Sequence, residues 1–404
     1  MQTKQQTKQQ HAKQLGVYLH IPFCVRKCGY CDFLSAPADE QTRRNYVAAL
    51  CNEIRAAAWQ EQKILKENYS IKSIFFGGGT PSLLDGNAIG AIMKVLQEQL
   101  GDICSEQLEV TMECNPGTVT EEKLLQYRRS GVNRLSFGLQ SAHNQELKAL
   151  GRIHTWETFL ESLQAARGAG FQNINVDLMS ALPDQTMDSW QHTLEQVAAL
   201  QPEHISAYSL ILEEGTALAA QIAAERRQGI DRVSDEDTDR EMYAFTNTFL
   251  AEQGYCHYEI SNYAKPGFES VHNLSYWECQ EYFGFGLGAS GFYQGERYCN
   301  TSKLAEYLIN WENADAVDWK TYREDVTVNS LQEQMAEFMF LGLRKMKGIS
   351  VREFKQRFGK DYWQVYGEQT ERLLQEHLLE QCQDTLYLTA RGIDISNTVM
   401  AEFV

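Results

Sequence analysis

The sequence predicts an α/β fold: a partial (βα)6, TIM-like barrel of parallel strands followed by a small helical domain. Three observations predict it. Short apolar runs rich in β-branched and aromatic residues alternate six times with longer amphipathic stretches, the pattern of strands joined by helical crossovers. Polar or glycine-rich residues fall just after each run, at the strand ends where such a barrel gathers its chemistry. From about Leu331 apolar residues return at helical spacing.

Residues 1–14 contain six Gln and three Lys without apolar periodicity and are expected to form a disordered tail, since little in them offsets the entropy of ordering. The expected strands are 15–20, 73–76, 108–113, 133–137, 173–179 and 204–212. Between them the helical stretches are 40–65, 87–100, 121–130, 156–169 and 189–200, with Gly101, Gly131 and Gly170 suited to close helices. Beyond Gln228 a charged stretch contains a helix near 237–252, with Asp235, Glu236 and Asp237 at its start complementing the helix dipole. The aromatic section 255–298 reads as loop because of Gly284, Gly286, Gly288 and Gly291. Met335, Phe338, Met339 and Leu343 share one helix face, Ser350 can cap a helix over 351–358, another follows towards 379, and 385–388 reads as a short strand. That end resembles a winged helix. The expected division is a tail (1–14), a barrel unit (15–325) that includes the aromatic segment 255–300, and a C-terminal unit (326–404).

Composition narrows the function. With 37 Lys and Arg against 54 Asp and Glu, a net charge of −17 repels phosphate backbones, so nucleic acid is not expected as a partner. Seven basic residues between Arg344 and Lys360 keep a DNA-binding reading open locally, against a solvated face or docking surface. No apolar run approaches a bilayer span and no secretion signal opens the chain, so a cytoplasmic protein, not integral to a membrane, is expected. Ten cysteines in that setting point to metal, catalysis or reduced core thiols.

Cys24, Cys28 and Cys31 lie within eight residues of one another after the first strand, whereas Cys51, Cys104, Cys114, Cys256, Cys279, Cys299 and Cys382 are scattered and read mainly as core residues, Cys256 and Cys279 standing nearest a later motif. Three thiolates at this spacing can wrap a four-iron cluster and leave one iron open; a zinc site or three reduced thiols are the alternatives.

Cys24-x-x-x-Cys28-x-x-Cys31, with Tyr30 before the third cysteine and Gly77-Gly78-Gly79-Thr80-Pro81 after the next strand, resembles the radical S-adenosylmethionine superfamily. The run Tyr18-Leu19-His20-Ile21-Pro22-Phe23-Cys24 is similar, more narrowly, to the oxygen-independent coproporphyrinogen III oxidase family and its HemW-type haem chaperone relatives. The resemblance implies a [4Fe-4S] cluster on Cys24, Cys28 and Cys31, with S-adenosylmethionine chelating the open iron. Tyr18, Gly78 and Glu113 match positions that hold this molecule. Gly79, Thr80, Gln140, Arg152, Asp177 and Tyr30 match those that hold a second one in the oxidase. An acidic residue at a strand end can accept both ribose hydroxyls, and an arginine can clamp a carboxylate at two points.

Two departures turn the resemblance from the oxidase towards the chaperone. Phe33 stands where the oxidases carry a further cysteine, and their long N-terminal extension has only the Gln-rich tail as its counterpart. His272-Asn273-Leu274-Ser275-Tyr276-Trp277 resembles the chaperones' His-Asn-x-x-Tyr-Trp signature, which implies His272 as haem-iron ligand and Asn273, Tyr276 and Trp277 around the macrocycle. A packed structural histidine is the competing reading. The expectation is a haem chaperone serving an acceptor haem protein, such as a membrane respiratory complex, from the cytoplasm or the membrane periphery; the alternative is a coproporphyrinogen III oxidase or another radical enzyme of the superfamily.

Overall fold

The structure is a computed structural model that describes residues 12–313 and 318–404. Six parallel strands form its centre: β1 (Lys13–Ile21), β2 (Tyr69–Gly78), β3 (Cys104–Cys114), β4 (Arg134–Gln140), β5 (Ile174–Ser180) and β6 (His204–Ser209). Each lies beside its successor in the chain, so every strand points its C-terminal end the same way. Between them run α1 (Glu40–Asn68), α2 (Gly86–Leu100), α3 (Glu121–Arg129), α4 (Asn144–Ala149), α5 (Trp156–Gly168) and α6 (Met187–Ala199). Most of these helices begin as their sequences dictate: Asp39, Asp85, Thr120, Thr155 and Thr186 each accept a backbone N–H of the first turn. The strands are apolar on both faces, and Val17, Ile74, Val110, Leu135, Val176 and Ile205 are buried against the helices in one continuous core.

The chain continues through α7 (Ala217–Arg226), α8 (Glu236–Glu252), β7 (Cys256–Glu259), β8 (Asn262–Ala264), α9 (Val271–Trp277), β9 (Glu281–Phe285), β10 (Ser290–Tyr293), β11 (Glu296–Asn300), α10 (Leu304–Asn310) and β12 (Arg323–Val328). These strands correct the loop reading of 255–298. The sheet has twelve strands in the order β12-β11-β10-β9-β1-β2-β3-β4-β5-β6-β8-β7, with β9 parallel to β1 and β8 antiparallel to β6. The glycines that suggested loop are instead places where chain packs on chain: a Cβ on Gly284 would lie 1.8 Å from the Ser290 carbonyl oxygen. One further expectation is corrected: Lys13 and Gln14 belong to β1 rather than the tail, whose residues 1–11 lie outside those described. Gly101 caps the C-terminus of α2 in right-handed helical geometry, and Gly131 and Gly170, just past their helix caps, have φ of +104° and +87°.

A second core forms from α11 (Leu331–Gly342), β13 (Ile349–Ser350), α12 (Val351–Phe358), α13 (Tyr362–Gln375), β14 (Leu379–Cys382), β15 (Thr385–Leu388), α14 (Ala390–Asp394) and α15 (Ser396–Ala401). Ser350 caps α12 through the Glu353 N–H, and β13, β15 and β14 make a three-stranded sheet, in keeping with the winged-helix expectation. Part of the basic run is spent on the barrel: Arg357 donates to the Glu278 and Cys279 carbonyls, and the Arg344 guanidinium lies 4.4 Å above the Trp277 ring. Of the scattered cysteines, Cys51, Cys114 and Cys279 are buried, but Cys256 and Cys382 are exposed, against the expectation of core positions.

One buried carboxylate ties the added strands to α1. Glu53 accepts from the Gly286 N–H (2.8 Å), the Asn300 amide (2.6 Å) and the Tyr307 hydroxyl (2.6 Å). Glu53→Ala leaves the Gly286 N–H and the Tyr307 hydroxyl buried and unpaired and the Asn300 amide held only by the Gly286 and Gly284 carbonyls, and we expect a loss of about 3–5 kcal/mol in denaturant unfolding, with faster amide exchange concentrated in β9–β11. Unchanged exchange there would show that the strands hold without this anchor.

Candidate functional site

All six parallel strands end at one cavity of about 380 Å³. The cysteine loop covers it because β1 and β2 continue to hold each other past the sheet: the Gly79 N–H donates to the Ile21 carbonyl (2.9 Å) and the Thr80 N–H to that of Phe23 (2.7 Å). The loop's far part is pinned through Gly29, whose N–H donates to the Leu150 carbonyl and whose own carbonyl accepts from the Leu218 N–H. Glycine is required at this crossing. Gly78 has φ of +108°, and a Cβ there would sit 2.5 Å from the His20 ring; one on Gly79 would sit 2.7 Å from the Phe23 oxygen.

Cys24, Cys28 and Cys31 all line the cavity as partly exposed free thiols. Cys24 Sγ lies 3.4 Å from Thr80 Oγ1, and Cys28 Sγ 3.6 Å from Arg152 Nη1. Burial pushes the Cys31 thiol up from its usual range, opposed by the Phe33 backbone N–H. Among the described residues no three His, Cys, Asp or Glu side chains stand close enough for a single metal ion. The thiols ring a shared space instead, which suits a cube with separate iron corners better than a closed tetrahedral zinc site.

Of the residues expected around S-adenosylmethionine, Tyr30, Gly78, Gly79, Thr80, Glu113, Gln140, Arg152 and Asp177 line the same cavity. Tyr18 stands behind the wall, its hydroxyl 3.1 Å from His20 Nδ1. Glu113, at the end of β3, accepts from the Gly78 N–H (3.1 Å), and Asp177 on β5 accepts from Ser136 (3.0 Å) and Asn175 (2.7 Å). Arg152 donates to Asn115 and to the Gly138 carbonyl, both at 2.6 Å, while its buried Nε has no partner. An unpaired guanidinium N–H beside a cavity fits a ligand carboxylate. Asn115, Ser136, Gly138 and Tyr208 also line the cavity, and the sequence reading missed them. Asn115 carried the clearest signal, two residues past Glu113 at the same strand end.

The haem expectations fare differently. His272, Asn273, Tyr276 and Trp277 lie on α9, apart from the cavity lining. His272 is 1% exposed; its Nδ1 is 2.8 Å from Ser73 Oγ and its Nε2 2.9 Å from the Tyr276 hydroxyl. Both nitrogens are engaged in this arrangement, so ligation of iron by His272 would require one of these two hydrogen bonds to break. Burial, helped by the Arg134 charge, holds its pKa down at about 3, so the ring is neutral.

Two cavity carboxylates set a pH dependence. Glu113 is pushed up to about 8, first by burial and then by the Asp177 charge, against the Gly78 N–H; burial also raises Asp177. Without ligand the fold favours protonated Glu113, so this stabilisation is complete below the usual value of 4.5 and is lost as pH rises through about 8. A cationic ligand favours the carboxylate form. We therefore expect S-adenosylmethionine affinity to rise between pH 6 and 8 and then level off, and Glu113→Gln to flatten the profile and cost about tenfold at pH 8, read by equilibrium dialysis. A wild-type affinity independent of pH would contradict this.

Comparison with known proteins identifies the family and the fold. Residues 18–197 match the radical SAM superfamily profile and residues 329–395 that of the HemN C-terminal domain. The chain is 36% identical to the heme chaperone HemW of Lactococcus lactis over 389 residues, covering 96% of this chain and 97% of that one. It is 35% identical to heme chaperone HemW of Bacillus subtilis, covering 96% and 99% respectively. The structure of Escherichia coli coproporphyrinogen III oxidase (HemN), a radical SAM enzyme, superposes with a TM-score of 0.79 at 22% identity, over 100% of this chain and 93% of that one, a likeness of fold. By its identity to these relatives over nearly its whole length, the chain belongs to the HemW family of the radical SAM superfamily.

Proposed function

We propose that this protein is a haem chaperone, binding haem and passing it to an acceptor haem protein such as a respiratory complex, with a [4Fe-4S] cluster on Cys24, Cys28 and Cys31 and S-adenosylmethionine in the cavity beside it. The observation that carries the reading is the 36% identity to a heme chaperone across 96% of the chain. When bound, the reduced cluster supplies an electron that can break a carbon–sulfur bond of the sulfonium. The chain's own residues hold what surrounds that step: Arg152 offers Nε to a carboxylate, Glu113 and Asp177 offer oxygens to ribose hydroxyls, and Gly78 and Gly79 let the backbone come close.

With His272 enclosed, the mouth of the cavity offers the better surface for the macrocycle. Phe33 (62% exposed) and Tyr208 line the cavity, Val25 and Ile153 border an adjoining hollow, and all four are exposed apolar side chains. Exposed Arg26, which lines both spaces, and its neighbour Lys27 supply positive charge for the two propionates on an otherwise acidic chain. Phe33 also argues against the oxidase reading, because it stands where those enzymes carry a cysteine. No helix among the described residues is long and apolar enough to cross a membrane; delivery from the cytoplasm to a membrane-bound acceptor is part of the proposal.

The test uses anaerobically reconstituted protein, titrated with haem by absorbance and assayed in parallel for product from coproporphyrinogen III. We expect stoichiometric haem binding, weakened at least about fivefold in Phe33→Ser with Arg26→Glu, and no decarboxylation. Decarboxylated product at catalytic yield would transfer the reading to the oxidase.

A further inference from the structure

The His-Asn-x-x-Tyr-Trp helix is tied to the far side of the S-adenosylmethionine site by an unbroken chain of contacts. Its start is fixed from below: Ser270 caps α9 through the Asn273 N–H, and the buried Glu109 carboxylate accepts the Val271 and His272 N–H groups, both at 3.1 Å. The His272 ring then lies near-parallel to Phe75 (centroids 4.9 Å, 22°) and Tyr18 (6.3 Å, 24°). Tyr18 in turn stacks on Phe75 at 6.2 Å and meets His20 Nδ1 at 3.1 Å. His20 Nε2 reaches the Leu34 carbonyl at 2.9 Å, one residue beyond Phe33 at the cavity mouth, and its ring fills the space a Cβ of Gly78 would need. Gly78 donates to Glu113. The chain thus runs from His272 through Tyr18 and His20 to both the glycine turn and the cysteine loop.

We propose that His272 is a positioning residue of the S-adenosylmethionine site: stacked on Phe75 and Tyr18 and held by Ser73 and Tyr276, it sets Tyr18 and His20 behind Gly78 and Glu113. The inference deepens the proposed function by giving the motif's histidine a task other than iron ligation, and it rests on that reading's cluster and S-adenosylmethionine site, with haem entering only as one arm of its test. From His272 to His20 and Gly78 every link is buried or half-buried and made of rings or backbone groups, Leu34 alone being exposed, so a change at His272 is passed on rather than absorbed. Because the ring is neutral, with one donor and one acceptor, Ser73 and Tyr276 can satisfy both nitrogens together. The other end of α9 is anchored to the C-terminal core, where Arg344 stacks over Trp277 and Arg357 holds the carbonyls of Glu278 and Cys279. Contacts this firm favour a fixed post over a ligand that swings out to meet iron.

The experiment compares wild type, His272→Ala, His272→Phe and Tyr276→Phe after anaerobic cluster reconstitution. S-adenosylmethionine affinity is read from the change the molecule makes in the electron paramagnetic resonance spectrum of the reduced cluster, and haem affinity from absorbance. We expect His272→Ala to weaken S-adenosylmethionine about tenfold and to alter the perturbed spectrum, while haem affinity stays within about twofold. His272→Phe keeps the stack without any iron-ligating atom, and it should recover most of the S-adenosylmethionine affinity. Tyr276→Phe removes one hydrogen bond, leaves the ring in place and should cost about two- to threefold, which carries the test if the alanine variant fails to fold. Loss of haem binding in both His272 variants with unchanged S-adenosylmethionine affinity overturns the inference, as does unchanged binding of both ligands. If wild type itself binds no haem, the chaperone reading falls while the S-adenosylmethionine arm still decides the role of His272.

Discussion

Two backbone hydrogen bonds hold the candidate site together: Gly79 N–H to Ile21 and Thr80 N–H to Phe23. They carry the parallel pairing of β1 and β2 past the end of the sheet, so the cysteine loop is fixed over the glycine turn instead of hanging from one strand. The geometry leaves no room for side chains at Gly78 and Gly79. With that crossing set, Cys24 comes against Thr80, Arg152 against Cys28, and Glu113 against the Gly78 N–H. The cavity chemistry follows from the strand ends meeting there.

The cavity holds two kinds of group in balance. Glu113 and Asp177 face one another electrostatically in a buried setting that disfavours their charged forms, whereas Arg152 keeps one N–H unpaired. A ligand with a cationic centre, a carboxylate and neighbouring hydroxyls satisfies both at once. The protein itself satisfies part of each group, Gly78 bonding Glu113, Ser136 and Asn175 bonding Asp177, and Asn115 and Gly138 bonding Arg152, so a ligand meets side chains already fixed in place. Of the exposed apolar side chains, Phe33 and Tyr208 line the cavity itself and Val25 and Ile153 border the adjoining hollow.

The barrel strands were legible because each is a short β-branched run followed by punctuation, and parallel strands buried on both faces need no alternation to be seen. The strands β7–β12 were not, because they are short, and β9 and β10 carry glycines where chain packs closely on chain, which looks like loop in one dimension. In the site, the cysteines, the glycine turn, Glu113 and Asp177 were readable from chemistry at strand ends, and Arg152, which follows α4, from family resemblance alone. Ser136 escaped notice because it acts by orienting a neighbour and a lone hydroxyl gives no signal of that kind, whereas Asn115 had only its place two residues past Glu113 to mark it. His272 was visible, but its surroundings were not: Ser73 lies 199 residues away in the chain, and only the folded sheet brings the two nitrogens to their partners.

The central claim is that Cys24, Cys28 and Cys31, which follow β1 and line the cavity, would hold a four-iron cluster and leave one iron to be ligated by S-adenosylmethionine. Mössbauer spectroscopy of protein reconstituted with iron-57, with and without S-adenosylmethionine, tests it most directly. The account predicts that one iron of each cluster changes its isomer shift and quadrupole splitting on addition while the other three stay sulfur-ligated. Spectra that are identical in both states, or that show no four-iron cluster at all, would contradict it.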